Sequence, residues 1–283
     1  MAFDPIAARD DFARDGVVYA PGVLDAAALA AALQSYEWSI ANPGPGATRI
    51  NQATDAVFYN DLYNPDCLAG YREMLQTSPL PGLAAALWNA PAVWFMYEQI
   101  FLKEGGESRR TPWHQDSSYL AVGGEHLMVA WITFDAVDRE NSLEFVKGSH
   151  DGQLYNGSRF ELGDDTAPLY PTAELPKLPE IEAHRNDFDI VSFAAKPGDV
   201  VFFHPRILHG GAATHVGQRR RTLTLRFFGT DALYEPRPGR AGPRIRGFHE
   251  RMQPGAPFRD PTFLKLDVPE LSCLNPGVHS IIS

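Results

Sequence analysis

After Pro91 the sequence becomes a series of short runs rich in β-branched and aromatic residues, separated by glycine, proline and aspartate. Runs of this length and spacing are typical of an all-β barrel or sandwich. A single unit of this kind commonly reaches 250 residues, so the 283-residue chain needs only one core. The predicted strands cover 93–103, 127–134, 143–146, 190–193, 200–203 and 222–228.

The first ninety residues carry the signals of helices instead. Asp25, for example, is a good N-cap for the alanine-rich stretch that follows, in which apolar side chains recur at helical spacing. Similar signals predict helices over 6–15, after Asn64-Pro65 and over 81–88, with a short strand over 17–19 and a loop over 43–52.

These two sequence patterns predict one α+β domain, mainly β, over residues 1–283. The strands of 91–230 would form the barrel, and the mainly helical residues 1–90 would pack on one of its sheets. The proline-containing stretch 151–188 is long enough to predict a functional lid. The last segment, 231–283, is rich in Pro, Gly and Arg and is expected to wrap the barrel.

Composition disfavours several classes of function. The chain has 25 Lys and Arg against 35 Asp and Glu, and its net charge of −10 would repel nucleic acid. Its two cysteines, Cys67 and Cys273, allow at most one disulfide, which is typical of a reducing compartment. The sequence has no apolar signal core and no membrane-length apolar run. We therefore expect a cytoplasmic protein with neither a nucleic-acid nor a membrane partner.

A histidine and an aspartate two positions apart form the first candidate metal site. In an extended strand, residues i and i+2 point to the same face, so the imidazole of His114 and the carboxylate of Asp116 would converge. The pair is equally compatible with a hydrogen-bonded surface pair, because so short a motif often arises by chance. A metal site needs a third ligand from a distant strand.

Two histidines after the predicted strand 200–203 compete for this third position. His204 closes the strand, where a hydrogen-bonded histidine is common. His209 is followed by two glycines, which let the backbone and a ligand approach closely. Two histidines and one carboxylate on one face of an octahedron leave three positions open, as in non-haem Fe(II) oxygenases.

An arginine eleven positions after His209 favours this histidine over His204. A guanidinium inside a barrel, near a metal with open positions, suits bidentate binding of a carboxylate. Arg220 is the candidate, whereas Arg219 and Arg221 fit a solvated basic face. Alternation along the strand predicts one face with Arg220, Thr222, Thr224 and Arg226 and the opposite face with Leu223, Leu225 and Phe227.

Five segments occur in an order and spacing that together are highly specific. They are FARDGVVYAPGVLDAAAL, WHQD, LEFVKGSH, KPGDVVFFHPRILHGG and RRRTLTLRFFGTD. With these segments, which span most of its length, the chain resembles the phytanoyl-CoA dioxygenase-like branch of the Fe(II)/2-oxoglutarate oxygenases. The resemblance implies a double-stranded β-helix, a jelly-roll barrel whose mouth holds iron.

The resemblance also implies a set of site residues. The implied iron ligands are His114, Asp116 and His209. Arg220 would bind the far carboxylate of the cosubstrate 2-oxoglutarate, Trp131 would lie beside this cosubstrate, and Gln99 falls where a strand residue often contacts it.

The sequence departs from the family pattern at three places, none of which removes an implied ligand. Glu140-Asn141 stands for the usual Asn-Gly turn, Lys147 replaces a proline, and Gly211 stands where some relatives have a serine. Asp116 fills the position that related halogenases leave open for a halide, so hydroxylation is expected rather than halogenation.

The expected activity is therefore hydroxylation of an aliphatic C–H bond in a small molecule, with Fe(II), 2-oxoglutarate and O₂ and with release of succinate and CO₂. A cupin-like metalloenzyme without O₂ chemistry is a second interpretation, which the Arg220 clamp disfavours. A non-catalytic barrel that binds a small molecule or a metal is a third. Formation of succinate distinguishes the oxygenase from both.

Overall fold

The computed structural model describes residues 2–51, 57–105, 110–161, 163–211, 214–239 and 241–268. Its helices are α1 (Arg9–Asp15), α2 (Ala26–Ala41), α3 (Leu68–Thr77), α4 (Leu80–Trp88) and α5 (Phe248–Arg251). No helix of these described ranges is both long and apolar enough to cross a membrane.

Two helix boundaries lie where the capping residues predict them. The side chain of Asp25 accepts a hydrogen bond from the backbone N–H of Ala28 (2.8 Å) at the start of α2. Gly16 ends α1 in the left-handed conformation (φ 73°), which glycine adopts without steric cost. The first helix is shorter than predicted, because α1 begins only at Arg9 and turns precede it.

The strands are β1 (Val17–Ala20), β2 (Thr48–Asn51), β3 (Val57–Leu62), β4 (Val93–Glu104), β5 (Thr111–His114), β6 (Val122–Gly123), β7 (Leu127–Thr133), β8 (Leu143–Val146), β9 (Ile190–Ser192), β10 (Val200–Phe203), β11 (His209–Gly211), β12 (Arg219–Phe228), β13 (Leu233–Tyr234) and β14 (Leu264–Leu266). The major sheet has the order β1-β10-β7-β12-β4-β3-β2, with β14 also pairing with β4. The minor sheet has the order β5-β11-β8-β9. These antiparallel sheets form the double-stranded β-helix, so the predicted fold class is confirmed.

The prediction of a loop over 43–52 is wrong, because Thr48–Asn51 forms β2. This strand pairs with β3, and β3 pairs with β4, so the hairpin extends the major sheet. The side chains of β3 are half-buried along nearly its whole length, without the alternation that marks a strand in a sequence. Pairing with β4, a tertiary effect, therefore decides this conformation.

The two faces of the major sheet pack against different layers, as the alternation along β12 predicts. On the outer face, Leu223, Leu225 and Phe227 belong to the core that the sheet shares with α1 to α4. On the inner face, toward the minor sheet, Trp131 packs in a second core with Phe145 of β8. Arg220, Thr222, Thr224 and Arg226 of β12 are buried on this inner side.

The stretch 151–188 and the C-terminal segment both pack against the two sheets. Leu178 and Ile181 of the stretch contact Trp113 and Leu208 beside the minor sheet. In the C-terminal segment, β14 pairs with β4, and three phenylalanines join a third apolar cluster: Phe248, Phe258 and Phe263. The predictions that concern Cys273 and the rest of 269–283 lie outside the described residues.

Candidate metal centre

The minor sheet brings the two predicted histidines together. His114 is the last residue of β5 and His209 the first of β11, and in the antiparallel register of these strands they are direct partners. Their ring centroids are 4.2 Å apart. The glycines after His209 serve strand packing, since a Cβ on Gly210 would lie 3.0 Å from the backbone oxygen of Thr111.

Asp116 joins the histidines from a turn rather than from a strand. The prediction of an extended strand through Asp116 is wrong, because β5 ends at His114 and Asp116 begins a 3₁₀ turn. Gln115 between them is still extended (φ −114°, ψ 125°), so both flanking side chains point to the same side. The side chain of Gln115 points elsewhere and donates to the backbone oxygen of Arg206 (2.7 Å).

The three side chains form a compact cluster of possible ligands. One ligand atom from each of His114, Asp116 and His209 lies within 4.8 Å of the other two. Asp116 Oδ1 is 3.5 Å from His114 Nε2 and 3.9 Å from His209 Nε2. Each Nδ1 is bonded to a backbone oxygen, of Pro112 (2.8 Å) and of Ile207 (3.0 Å). Because these oxygens only accept, each Nδ1 donates, and in a neutral imidazole this leaves the Nε2 lone pair facing the cluster.

Burial keeps the second histidine neutral. Burial, followed by the neighbouring His114, lowers the pKa of His209 to about 3. At neutral pH its Nε2 lone pair is therefore free of a proton. Two neutral imidazoles and one carboxylate are a donor set that binds a divalent transition metal.

Arg226 forms a buried ion pair with Asp116, a role that the sequence did not assign to it. Its Nη2 donates to Asp116 Oδ2 and to Gln99 Oε1, each at 2.8 Å, and the guanidinium lies 4.5 Å from the ring centroid of Tyr97. Burial alone would raise the pKa of Asp116, but the charge of Arg226 lowers it well below its usual value. Oδ1 is left facing His114 and His209.

The alternation along β12 contained a signal for this pair. It predicts Arg220 and Arg226 on one face, and a second buried arginine on the face of a proposed metal site needs an acidic partner. Asp116 is the acidic residue among the implied iron ligands, but only the folded chain shows that Arg226 and Asp116 are in contact.

Arg220 lies six residues from Arg226 on the same face of β12. Its Nη1 donates to the backbone oxygen of Asn141 (2.6 Å), the residue that departs from the family turn. Its partner in the register is Lys103 of β4, and both side chains are buried. Burial lowers the pKa of Arg220 to about 10, and burial, with the charge of Arg220, lowers that of Lys103 to about 7. No sequence pattern singled out Lys103, the penultimate residue of the largely apolar strand β4.

The other two predicted cosubstrate residues lie on strands that flank β12. Trp131 is buried on β7 opposite Thr224, and Gln99 lies opposite Thr224 on β4. The side chain of Gln99 donates to Asn60 Oδ1 (2.9 Å) and accepts from Arg226.

The competing histidine lies elsewhere. His204 is buried, and its Nε2 is 3.2 Å from the backbone oxygen of Gly124, while its ring lies 5.4 Å from that of His150. Burial lowers its pKa to about 3. His204 therefore occupies a structural site, and His209 is the histidine that meets His114.

The stretch 151–188 contacts the candidate metal centre, although no sequence pattern predicted which of its residues would lie there. Phe160 lies with its ring centroid 5.3 Å from that of His114 and 5.9 Å from that of Tyr119. Hydrogen bonds connect the stretch to the turn that begins at Asp116: Tyr119 Oη donates to the backbone oxygen of Ser158 (2.6 Å), and Ser118 Oγ to that of Tyr155 (2.8 Å).

The fold and the site together define a class: a double-stranded β-helix protein in which two histidines and one carboxylate lie close enough together to hold a metal ion. The family model for phytanoyl-CoA dioxygenase (PhyH) matches residues 12–222, and the chain belongs to this family. The peroxisomal phytanoyl-CoA dioxygenase of Rattus norvegicus is 25% identical over 152 residues, which are 52% of this chain and 43% of the relative. The human protein is 24% identical over 170 residues, 58% and 48% of the two chains. The chain thus spans about half the length of the curated relatives it matches.

Solved structures with little sequence identity share the fold. The non-haem α-ketoglutarate-dependent carbocyclase SnoK of nogalamycin biosynthesis has a TM-score of 0.68 at 19% identity and covers 94% of this chain and 100% of its own. The epimerase SnoN, solved with Fe³⁺, α-ketoglutarate and nogalamycin RO, has a TM-score of 0.63 at 22% identity, with 92% and 98% covered. EctD from S. alaskensis has a TM-score of 0.66 at 16% identity, with 93% and 87% covered.

Proposed function

We propose that this protein is an Fe(II)- and 2-oxoglutarate-dependent dioxygenase that hydroxylates an aliphatic C–H bond of a small molecule. The observation that carries the proposal is the convergence of the ligand atoms of His114, Asp116 and His209 within 4.8 Å. Membership of the phytanoyl-CoA dioxygenase family supports the same chemistry. In this proposal these three residues bind the iron.

The donor set fits a divalent iron. Two Nε2 lone pairs and a carboxylate oxygen face one another at 3.5 and 3.9 Å, an arrangement that is repulsive until a cation lies between them. The backbone oxygens of Pro112 and Ile207 fix the imidazole tautomers that direct the lone pairs there. Three protein ligands leave coordination positions for a cosubstrate and for O₂.

When bound, Fe(II) with 2-oxoglutarate and O₂ supplies oxidative decarboxylation to succinate and CO₂ coupled to oxidation of a substrate C–H bond. The residues of the chain bind and orient the reactants. Arg220 holds the far carboxylate of 2-oxoglutarate, for which a buried guanidinium that stays charged at neutral pH is suited. Trp131 forms an apolar wall beside this cosubstrate. Gln99 contacts the cosubstrate, and its Oε1 accepts the hydrogen bond that orients Arg226.

Cosubstrate binding tests the proposal directly. Fe(II) with 2-oxoglutarate, mixed under anaerobic conditions, should give a visible charge-transfer band, and His114→Ala should abolish it. Arg220→Ala should weaken 2-oxoglutarate binding about 10- to 100-fold, the value of a charged hydrogen-bonded contact. Arg221→Ala is the matched control, since Arg221 faces outward and pairs with Asp135. Absence of a band in iron-loaded wild-type protein would contradict the chelation.

Turnover separates the alternatives. Succinate release that depends on O₂, with Asp116→Ala as the blank, supports the oxygenase. Turnover without O₂ consumption would favour a cupin-like metalloenzyme. Tight iron binding with no succinate, across acyl-CoA, amino acid and small carboxylate panels, would favour a non-catalytic barrel.

We also propose that the chain folds as one domain. The helices α1 to α4 share a core with the outer face of the major sheet. The strand β14 of the C-terminal segment adds to β4 of the same sheet. A single cooperative unfolding transition, monitored by both tryptophan fluorescence and circular dichroism, is expected.

A further inference from the structure

Two aromatic residues near the candidate metal centre have a backbone conformation that aromatic residues rarely adopt. Among the non-glycine residues of the described ranges, Tyr63 (φ 57°), Asn89 (φ 56°) and Phe160 (φ 55°) have positive φ. Asn89 ends α4, where asparagine commonly takes this conformation. For the two aromatic residues a positive φ is unfavourable, so contacts with the surrounding structure must impose it. Residues with such strained backbone conformations cluster where ligands bind.

Phe160 is held on the His114 side of the centre. Its backbone N–H donates to Ser158 Oγ (2.9 Å), and Ser158 is in turn held by Tyr119 Oη. The ring stacks on Tyr119 with an interplanar angle of 13° and stands nearly perpendicular to the imidazole of His114, at 79°. Phe160 nevertheless remains 40% exposed, so its contacts do not bury it.

Tyr63 is linked to Asp116 through Tyr97 and Arg226. Its ring centroid is 3.8 Å from that of Tyr97, and the guanidinium of Arg226 lies 4.5 Å from the Tyr97 ring. Arg226 connects this pair to Asp116 at 2.8 Å. Tyr63 is half-buried, whereas Tyr97 is buried.

We propose that Phe160 and Tyr63 bind a cyclic, apolar part of the substrate and are specificity-determining residues. The inference rests on the proposed function, because it takes the cluster of His114, Asp116 and His209 as the reaction centre. Phe160 keeps a large apolar ring exposed beside His114, and small-molecule sites are lined mainly by apolar and aromatic side chains around a few polar groups. A flat ring stacks over the face of an aromatic side chain, and a rigid ring loses less conformational entropy on binding than an unbranched chain.

Two neutral alcohols of similar hydrophobicity, 2-naphthol and 1-octanol, test the ring preference. With Mn(II) in the centre, the longitudinal relaxation of the 2-naphthol protons should be accelerated saturably above a Zn(II) control, and that of 1-octanol much less. Phe160→Ala should weaken 2-naphthol binding about 5-fold, in line with the loss of an aromatic pair. Tyr63→Leu should also weaken it.

Two further variants distinguish ring recognition from general apolar contact. Phe160→Leu keeps apolar volume but removes the ring, so it should weaken 2-naphthol binding and leave 1-octanol binding unchanged. Leu233→Ala removes an apolar side chain on β13 that is 43% exposed, and it should change the binding of neither alcohol.

The proposal is overturned if 1-octanol binds as well as 2-naphthol, or if Phe160→Ala binds 2-naphthol like wild type. If Mn(II) does not bind at all, the proposed metal site fails instead. Saturation-transfer NMR on the metal-free protein, with the same variants and both alcohols, would then still decide whether Phe160 recognises a ring.

Discussion

Replacing Arg226 with methionine removes the cation that faces Asp116 in the metal-free protein. The pair is 2.8 Å apart, and both side chains are largely inaccessible to solvent. Removing one partner of a buried ion pair leaves an uncompensated charge and costs about 3–5 kcal/mol. At about 2.1 cal/mol/K per residue, unfolding a chain of 283 residues has an entropy of about 0.6 kcal/mol/K. We therefore expect the Tm of metal-free Arg226→Met to fall by about 5–8 °C.

A double-mutant cycle isolates the pair. Asp116→Asn alone leaves the buried Arg226 without its anionic partner and should also destabilise the protein. The double variant Asp116→Asn/Arg226→Met keeps neither charge of the pair, so its Tm should recover at least half of the summed fall of the two single variants. Arg221→Met is the matched control, because its more exposed pair with Asp135 is worth about 1 kcal/mol and should change the Tm by less than about 2 °C.

Thermal unfolding by circular dichroism, in chelator-treated protein at neutral pH, measures all four variants. Addition of Mn(II) should narrow the gap between Arg226→Met and wild type, since the metal supplies Asp116 with a cation again. A fall in Tm below 2 °C for Arg226→Met, or strictly additive effects in the double variant, would refute the assignment of Arg226 as the partner that stabilises Asp116.

Three further predictions follow from particular side chains. Burial raises the pKa of Glu98 to about 7, so this group stabilises the protein below its unfolded pKa, and that stability is lost as pH rises toward 7. Glu98→Gln should therefore raise the Tm at pH 8 but not at pH 4.5, and an equal shift at both would contradict it. Phe160→Gly should leave the Tm unchanged or raise it slightly, because glycine relieves the positive φ; a fall above 3 °C, about 2 kcal/mol, would argue against backbone strain. Arg220→Lys should raise the KM for 2-oxoglutarate more than it lowers kcat, in steady-state succinate assays, since lysine keeps the charge but loses the bidentate fork.

Close neighbours in the chain made much of the site predictable. The spacing of His114 and Asp116 requires only that the residue between them be extended. Gln115 is extended, although the strand itself ends two residues earlier than predicted. The choice of His209 over His204 came from the spacing to Arg220, and the structure brings His209, not His204, to the other two residues. The roles of these residues in binding iron and 2-oxoglutarate remain proposals.

What the sequence determined by itself is local: helix caps such as Asp25, the apolar alternation of β12 and the short reach from His114 to Asp116. Each depends on backbone geometry over a few residues. Tertiary structure alone decided that the weakly patterned β2–β3 hairpin adds to the major sheet, that Arg226 meets Asp116 from 110 residues away, and that Phe160 reaches His114. These contacts are stabilised by burial and charge compensation, which no local pattern encodes because both partners must first be brought together by the fold.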